Sequence, residues 1–285
     1  MYKHYYNIAG IKMLLEYDKP FDVSRFDNFT SEPFEDYDVH LRAKKSGYTN
    51  DGLKLNYREN SVLCWYSHEN GDGRFEFGSA NPSFNFQSAC DFTPDWKEVT
   101  LYYDNENSLE RYLAGPACEI IFRNALIHRG GMVIHAAAIE HEGEGIAFSA
   151  PSETGKTTQA NLWIEHRGAR DLNGDRPALI FDGDKLMCGG TAWSGSSNIF
   201  VNKIVPLKAL VFVARAPENE AIRLSPQKAV DYLLPRSFLP YYDSKFMHTA
   251  MDIMDKIVSS GKVYLLKCRP DKEAVEVLDK CVKSV

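Results

Sequence analysis

The residues whose types and spacing most directly indicate chemistry lie between Ala150 and Thr157, which read Ala-Pro-Ser-Glu-Thr-Gly-Lys-Thr. An apolar run, Gly145 to Ser149, precedes them, and a run with helical periodicity, Thr158 to Glu165, follows. A phosphate-binding loop requires this order of strand, tight loop and helix, because loop N–H groups and the helix dipole then point at one anion. The alternative is a Gly-Lys-Thr turn that only caps a helix. The order of the elements favours a nucleotide phosphate site.

Each position in this stretch has an expected role. Lys156 would reach the outer phosphates as a point charge, and the Thr157 hydroxyl would bind Mg²⁺. The other loop positions expected to hold the nucleotide are Ser152, Glu153, Thr154, Gly155 and Thr158. The usual pattern opens with glycine, whereas this chain has Ala150, and alanine disfavours a positive φ angle.

A nucleotide site with Mg²⁺ also needs a carboxylate. The downstream candidates are Asp171, Asp175, Asp182 and Asp184. Asp175 is preferred because it follows Asn173-Gly174 at the end of a predicted strand, where backbone geometry is special. Asp182 and Asp184 flank Gly183, which is typical of an ordinary hairpin turn. His135 lies in an apolar run just before the loop strand, either as a core histidine or as a partner of the acid.

Composition excludes several other functions. The chain has 285 residues, a net charge of −6 and 44% hydrophobic residues, which indicates a globular protein without a basic field for nucleic acid. No apolar run is long enough to span a membrane, and the first residues lack the apolar core of a signal peptide. Six scattered cysteines without a Cys-x-x-Cys pair are expected to be reduced thiols. These features predict a soluble, cytoplasmic protein.

Residues 1–105 are predicted to form a small β-rich domain, because aromatic residues alternate between turn signals. Its predicted, mostly antiparallel strands are Ile8–Tyr17, Tyr37–Arg42, Leu53–Tyr57, Ser61–Tyr66, Arg74–Phe77 and Val99–Tyr103. A helical pattern then runs from Asn107 to His128. Gly115-Pro116 should kink or split it, and Gly130-Gly131 should end it. The domain junction is therefore placed before residue 106.

Residues 106–285 alternate between strands and helices, which predicts an α/β domain. The predicted strands are Met132–Glu140, Gly145–Ser149, Ala178–Phe181, Lys185–Met187, Leu207–Ala214 and Val263–Lys267. The predicted helices after the loop are Thr158–Glu165, Ser225–Leu234, Ser244–Ser259 and Asp271–Val282. Ser225 is expected to cap its helix, with Pro226 at the first helical position.

On these residues the chain resembles the HPr kinase/phosphorylase-like kinases, whose nucleotide core is similar to that of ATP-dependent phosphoenolpyruvate carboxykinase. His135 stands ahead of the loop as the active-site histidine of those kinases does. The segment from Asn173 to Ala178 falls close to the family's pair of aspartates. Gly190–Gly195 and Val205–Ala209 are similar to segments of HPr-kinase-like proteins found in peptide-modification clusters. The resemblance covers roughly residues 130 to 285.

The resemblance implies a P-loop nucleotide domain with a mixed, twisted sheet. It also implies phosphoryl transfer from ATP, with Mg²⁺, to a hydroxyl acceptor. Asp175 matches the acid that helps to remove the hydroxyl proton and holds Mg²⁺ with Thr157, and His135 matches the histidine that orients it. The first aspartate of the family's pair aligns with Gly174, and the family's C-terminal signature with its arginine is not visible. A homo-oligomer is possible on this resemblance.

The sequence thus leaves competing functions open. The leading hypothesis is a kinase that acts on a serine of a peptide or protein, or on the hydroxyl of a small metabolite. The alternatives are a catalytically weak ATP-binding module that controls a partner, a structural domain that has lost nucleotide binding, and carboxykinase-like chemistry. The pair Lys156-Thr157 argues against a structural domain that has lost nucleotide binding, because packing does not require lysine and threonine at the start of a helix.

Overall fold

The computed structural model describes residues 1–18, 24–59, 63–77, 88–103, 109, 113–151 and 154–284. The chain divides into two compact units. The first comprises Met1–Arg129 with Pro240–Met247, and the second comprises Gly130–Leu239 with His248–Val285. The first segment of the first unit thus ends at Arg129, whereas the sequence predicts a domain junction before residue 106.

The first unit is β-rich. Its strands are β1 (Tyr2–Ile8), β2 (Ile11–Tyr17), β3 (Val39–Lys45), β4 (Lys54–Glu59), β5 (Leu63–Ser67), β6 (Gly73–Phe77), β7 (Ser88–Phe92) and β8 (Glu98–Tyr103). They form one sheet in the order β1-β2-β3-β8-β7-β6-β5-β4. The pairs β2–β3 and β3–β8 are parallel, and the other pairs are antiparallel. The sheet is therefore mixed, with antiparallel pairing predominating.

Two details of this unit differ from the sequence prediction. The run predicted as a single strand from Ile8 to Tyr17 is broken, because Ala9 and Gly10 have φ angles of 47° and 87° and turn the chain into a hairpin. Strand β7 was not predicted. A 3-10 helix, Ser24–Phe29, and the helix α1, Cys118–His128, complete the unit.

The aromatic residues of the first unit form its core. Trp65, Phe75, Phe92 and Trp96 are each at most 6% exposed. Trp65 stacks on Tyr242 with ring centroids 3.8 Å apart, and Phe92 stacks on Trp96 at 3.9 Å. Such contacts stabilise a core beyond the burial of area alone. Segment 240–247 is thus held in the first unit by Tyr242.

The predicted helix from Asn107 to His128 is split where proline and glycine occur. Leu113–Ala117 is an irregular turn in which Gly115 has non-helical angles, and α1 begins at Cys118 after Pro116. Residues 107, 108 and 110–112 of this prediction lie outside the described residues.

The second unit alternates strands and helices. Its strands are β9 (Met132–Val133), β10 (Ala136–His141), β11 (Glu144–Ser149), β12 (Arg170–Asn173), β13 (Ala178–Asp182), β14 (Lys185–Gly189), β15 (Ile204–Arg215), β16 (Glu220–Arg223) and β17 (Val263–Cys268). Its helices are α2 (Lys156–Arg167), α3 (Pro226–Leu233), α4 (Ser244–Ser259, which begins in the first unit) and α5 (Lys272–Lys283). A 3-10 turn, Leu234–Arg236, follows α3.

Strand β15 organises the second sheet. The order is β12-β10-β11-β15-β14-β13-β9, and β17 pairs with both β15 and β16. The first residues of β15, Ile204 to Pro206, pair antiparallel with β14, whereas the rest of the strand runs parallel to β11 and β17. The carboxyl ends of three parallel strands, at Ser149, Arg215 and Cys268, therefore meet at one edge of the sheet, where α/β proteins place ligands. The α/β class, the mixed sheets and the β-rich N-terminal region are confirmed.

Helices α2 and α5 cover one face of this sheet. Trp163, 1% exposed, packs near Phe148 and lies edge-on to His141. The predicted caps are present: Ser225 accepts a hydrogen bond from the N–H of Lys228, and Asp271 caps α5. The six cysteines are free. Within the described ranges, no helix combines the length and apolar character needed to cross a membrane.

The strand predicted over Met132–Glu140 is broken at Ile134 and His135. Its first part, β9, pairs with β13, and its second part, β10, pairs with β11 and β12. Ile134 forms an isolated bridge with Ser237. The break arises because the two parts pair with different neighbours, which local sequence does not reveal.

Candidate functional site

The candidate phosphate loop joins β11 to α2, as the sequence predicts for this strand, loop and helix. Ala150 is 2% exposed and packs in the core of the second unit. It is not among the residues with a positive φ angle, so the position does not require glycine and alanine is accommodated without strain. Ser152 and Glu153 lie outside the described residues.

The N-terminus of α2 has the features of an anion site. Gly155, at the N-cap, has a φ angle of 126° that side-chain-bearing residues rarely adopt. Among the residues that the structure describes, no side chain caps the helix, and its first turn contains no acidic residue. The Thr157 and Thr158 side chains are exposed. The positive end of the helix dipole and its first N–H groups are thus not neutralised by an acidic side chain of the helix itself.

Lys156, His135 and Asp175 come together beside this helix end. Lys156 Nζ lies 2.7 Å from His135 Nε2, and His135 Nε2 lies 2.9 Å from Asp175 Oδ1. Lys156 Nζ and Asp175 Oδ1 are 3.7 Å apart. A loop cation, an imidazole and a carboxylate are therefore within contact of each other, although they come from three separate parts of the sequence.

Asn173 fixes the position of Asp175. Its Oδ1 accepts hydrogen bonds from the N–H groups of Asp175 (3.0 Å) and Arg176 (2.7 Å), which is an Asx turn. Its Nδ2 donates to the carbonyl oxygens of Thr191 (3.0 Å) and Trp193 (3.2 Å). Asn173 is 1% exposed. No role for Asn173 is predicted from the sequence, although the Asn-Gly-Asp order, which indicates special backbone geometry, is its signal.

The backbone of His135 is held from both sides. Its N–H donates to the Arg236 carbonyl (2.7 Å), and its carbonyl accepts from Ser149 Oγ (2.8 Å). The N–H of Ala136 donates to the carbonyl of Asp175 (3.0 Å). Three segments thus meet at this histidine: the end of β11, the segment after α3 and the Asp175 segment. Arg236 is a second site residue that is not predicted from the sequence.

The electrostatics of the three side chains favour an incoming anion. Burial lowers the pKa of Lys156, and the positive charge of Arg236 adds to this, so the attraction of Asp175 does not restore it. Burial alone would raise the pKa of Asp175, but its hydrogen bond with His135 and the charges of His135, Lys156 and Arg176 outweigh burial and lower it. Asp175 is therefore ionised, while burial makes the charged form of Lys156 less favourable than it is in water.

Two glycines set the shape of the surroundings. A Cβ atom at Gly174 would lie 1.8 Å from Ser197 Oγ, so this position has no room for a second carboxylate in the present packing. A Cβ atom at Gly195 would lie 2.8 Å from Asp175 Oδ2. The loop that carries Trp193 to Ser197 therefore closes directly over the Asp175 segment.

A cleft of about 420 Å³ opens at the same end of α2. Its lining residues are Thr154 to Gln159 together with Val213, Arg215, Ala216, Cys268, Arg269 and Pro270. Arg215 and Cys268 end two of the parallel strands. At its floor, Gln159 donates to Cys268 Sγ (3.2 Å). Lys156 lines the cleft and also contacts His135 and Asp175, which are not part of the cleft lining.

The other candidate acids lie elsewhere. Asp182 and Asp184 flank the Gly183 turn between β13 and β14, as the hairpin reading predicts. Asp171 lies on β12, where burial raises its pKa. Among the candidate aspartates, Asp175 is the one with a contact to the loop lysine.

Comparison with known proteins gives limited similarity. The family model described as "SynChlorMet cassette protein ScmC" matches residues 104–239, which is less than half of the chain. No curated protein matches the chain significantly. Among solved structures, the HPr(Ser) kinase/phosphatase from Coxiella burnetii is similar over 53% of this chain and 96% of its own, with 11% sequence identity and a TM-score of 0.31. A TM-score of this size does not establish a shared fold.

Proposed function

We propose that this chain is an ATP- and Mg²⁺-dependent kinase that transfers the γ-phosphoryl group to a hydroxyl of a peptide, a protein or a small metabolite. The observation that carries the proposal is the contact of Lys156 with His135 and Asp175 at a helix N-terminus without an acidic first turn. A partly buried lysine beside an ionised carboxylate suits a reaction in which phosphate charge must be held while a proton is removed.

The positions of the cleft and of Asp175 relative to Lys156 support one orientation of the bound nucleotide. Lys156 connects the cleft to Asp175, because it lines the cleft and its Nζ contacts the His135 and Asp175 side chains. The cleft, which the start of α2 from Lys156 to Thr158 lines, would hold the nucleoside and inner phosphates. The outer phosphate would then lie by Lys156, facing Asp175.

The donor set fits Mg²⁺. Among the described residues, no group of three or more His, Cys, Asp or Glu side chains forms a cage for a metal. Mg²⁺ in nucleotide sites takes one or two protein oxygens, with phosphates and water filling the remaining positions. The exposed hydroxyl of Thr157 and the carboxylate of Asp175 would supply those oxygens. The bound ion would neutralise phosphate charge and hold the phosphate oxygens.

Asp175 would take the proton of the acceptor hydroxyl. Its lowered pKa keeps it ionised at neutral pH, and the hydrogen bond between its Oδ1 and His135 Nε2 fixes the orientation of the carboxylate. Arg236, whose charge acts on Lys156, would add positive charge on the phosphate side. His135 is thus a positioning residue and Asp175 a catalytic one.

The proposal includes a P-loop fold of the HPr kinase and carboxykinase type for the nucleotide domain, which acts in the cytoplasm. The strand, loop and helix around Ala150 and Lys156 support the P-loop assignment. Compartment and any oligomer remain predictions from the sequence.

The test is ATP turnover by the wild-type chain and the Asp175→Asn variant, measured as ADP release with water as the acceptor. Loss of the base should lower turnover by about 100-fold or more, while binding of a non-hydrolysable ATP analogue changes by less than about 10-fold. Equal turnover in the two proteins would remove Asp175 from the mechanism. Binding without measurable turnover in the wild type would favour the ATP-binding module instead.

A further inference from the structure

Gln159 places a buried amide in the wall of the cleft at the N-terminal end of α2. The residue is 2% exposed, and it lines the cleft together with Val213 and Cys268, which are each 5% exposed. Its Oε1 atom is buried and has no hydrogen-bond partner among the residues that the structure describes. A buried acceptor without a partner has lost its hydration and gained no hydrogen bond in return, so a donor that reaches it is bound favourably.

The contact that holds the Gln159 amide is a weak one. Its Nε2 donates to Cys268 Sγ at 3.2 Å. Sulfur is a weak acceptor, and burial raises the pKa of Cys268 to about 11, so that the group is a neutral thiol at neutral pH. The last bond of a glutamine side chain rotates over a broad range. The amide can therefore exchange this contact for a stronger one and turn its oxygen towards the cleft.

The position of Gln159 along α2 indicates which part of a nucleotide it meets. Gln159 follows Lys156 by three residues, and residues with this spacing lie on the same side of a helix, about 4.5 Å apart along its axis. Both residues line the cleft. In the nucleotide orientation given above, the outer phosphate lies by Lys156 and the inner phosphates lie along the start of α2. The group that follows the inner phosphates is the sugar.

The chemistry of the nucleotide agrees with this position. Phosphate oxygens are acceptors, so they cannot pair with the Gln159 oxygen. The hydroxyl groups of ribose are the first donors that follow the phosphates along the molecule. A hydroxyl also accepts hydrogen bonds, so it can pair with either end of a glutamine amide.

We propose that Gln159 Oε1 accepts a hydrogen bond from a ribose hydroxyl, so that the chain selects ribonucleoside triphosphates over their deoxy counterparts. This assignment rests on the proposed kinase function and names the residue that recognises the sugar of its nucleotide. The selection has a physical reason, because a nucleotide without the hydroxyl leaves the buried oxygen unpaired in the complex. A site built around a hydrogen bond rejects the analogue that lacks the partner group.

The test is calorimetric titration of the full chain, in the presence of Mg²⁺, with the β,γ-imido analogues of ATP, 2′-deoxy-ATP and 3′-deoxy-ATP. We expect at least one deoxy analogue to bind about 10-fold more weakly than the ATP analogue, and the weaker one identifies the hydroxyl. Gln159→Met preserves the size of the side chain without an acceptor, so it should bind all three analogues with equal affinity. Gln227→Met, at an exposed glutamine of α3, is the matched control and should keep the wild-type preference.

Two further measurements separate sugar recognition from a purely structural role. The nucleotide-free Gln159→Met chain should melt no lower than the wild type, because the substitution removes a buried acceptor that has no partner. Gln159→Glu retains an acceptor oxygen, so it should keep the preference for ribose while it weakens the binding of all three analogues, since its carboxylate lies near phosphate charge.

Equal binding of the three analogues by the wild type would overturn the assignment and leave the Gln159 oxygen to a water molecule. A preference for ribose that Gln159→Met retains would overturn it as well. A wild-type chain that binds no ATP analogue would instead remove the proposed function, and the sugar assignment with it.

Discussion

Replacing Asn173 by alanine should both destabilise the second unit and displace its catalytic acid. The Asn173 side chain accepts hydrogen bonds from two backbone N–H groups and donates hydrogen bonds to two carbonyl oxygens, and the residue is 1% exposed. At about 1 kcal/mol for each hydrogen bond, the loss is about 4 kcal/mol. For a unit of this size, that corresponds to a fall of roughly 8–16 °C in melting temperature.

The same substitution should lower ATP turnover by about 100-fold, because an error of about 1 Å in a catalytic group has an effect of this size. Urea unfolding measures the stability and ADP release measures the turnover, both below the transition of the variant. Asn202→Ala, at an exposed asparagine in the following segment, is the control and should change stability by less than about 0.5 kcal/mol. An Asn173→Ala protein with the stability and turnover of the control would refute the role given to these hydrogen bonds.

Three further predictions follow from the same region. Gly174→Ala should lower the free energy of unfolding by about 1–3 kcal/mol through the clash with Ser197, and adding Ser197→Gly should recover most of that loss. Urea unfolding measures both effects, with Gly47→Ala as the control because a Cβ atom there meets nothing within 4 Å. Because the pKa of Asp175 is lowered on folding, its ionisation stabilises the protein above the unfolded pKa of about 3.8. Asp175→Asn should therefore melt below the wild type at neutral pH, and the difference should shrink as pH falls through the folded pKa; an unchanging difference would contradict this. Nucleotide binding should weaken as Lys156 loses its proton at alkaline pH. Arg236→Gln should move this loss of affinity to higher pH, since the charge of Arg236 lowers the pKa of Lys156. Calorimetric affinities between about pH 8 and about pH 10 measure the shift.

Local sequence signals predicted a good part of this fold. The strand, loop and helix around Lys156, the caps at Ser225 and Asp271, and the break near Pro116 depend on neighbouring residues and were found. The β-rich first region was also predicted, although its first strand was read through the turn at Ala9 because alanine rarely adopts a positive φ angle.

The arrangement of the site depended on contacts that local signals do not contain. The break at His135 arises from pairing of β9 and β10 with different strands, and Arg236 reaches the histidine from a segment about one hundred residues away. Asparagine is a residue type common in turns, but the role of Asn173 depends on the carbonyl groups of residues 191 and 193. Gly174, read from sequence as the loss of an acid, is explained by its packing against Ser197.

The most direct test of the central claim is calorimetric titration of the purified chain with a non-hydrolysable ATP analogue, with and without Mg²⁺. The account predicts one nucleotide per chain, tighter binding with Mg²⁺, and an affinity about 10- to 150-fold lower in the Lys156→Met variant, from the loss of charge-assisted hydrogen bonds. The melting temperature of the variant should not fall, because burial already lowers the pKa of this lysine. No binding at millimolar nucleotide, or equal binding by Lys156→Met, would contradict the assignment of the loop.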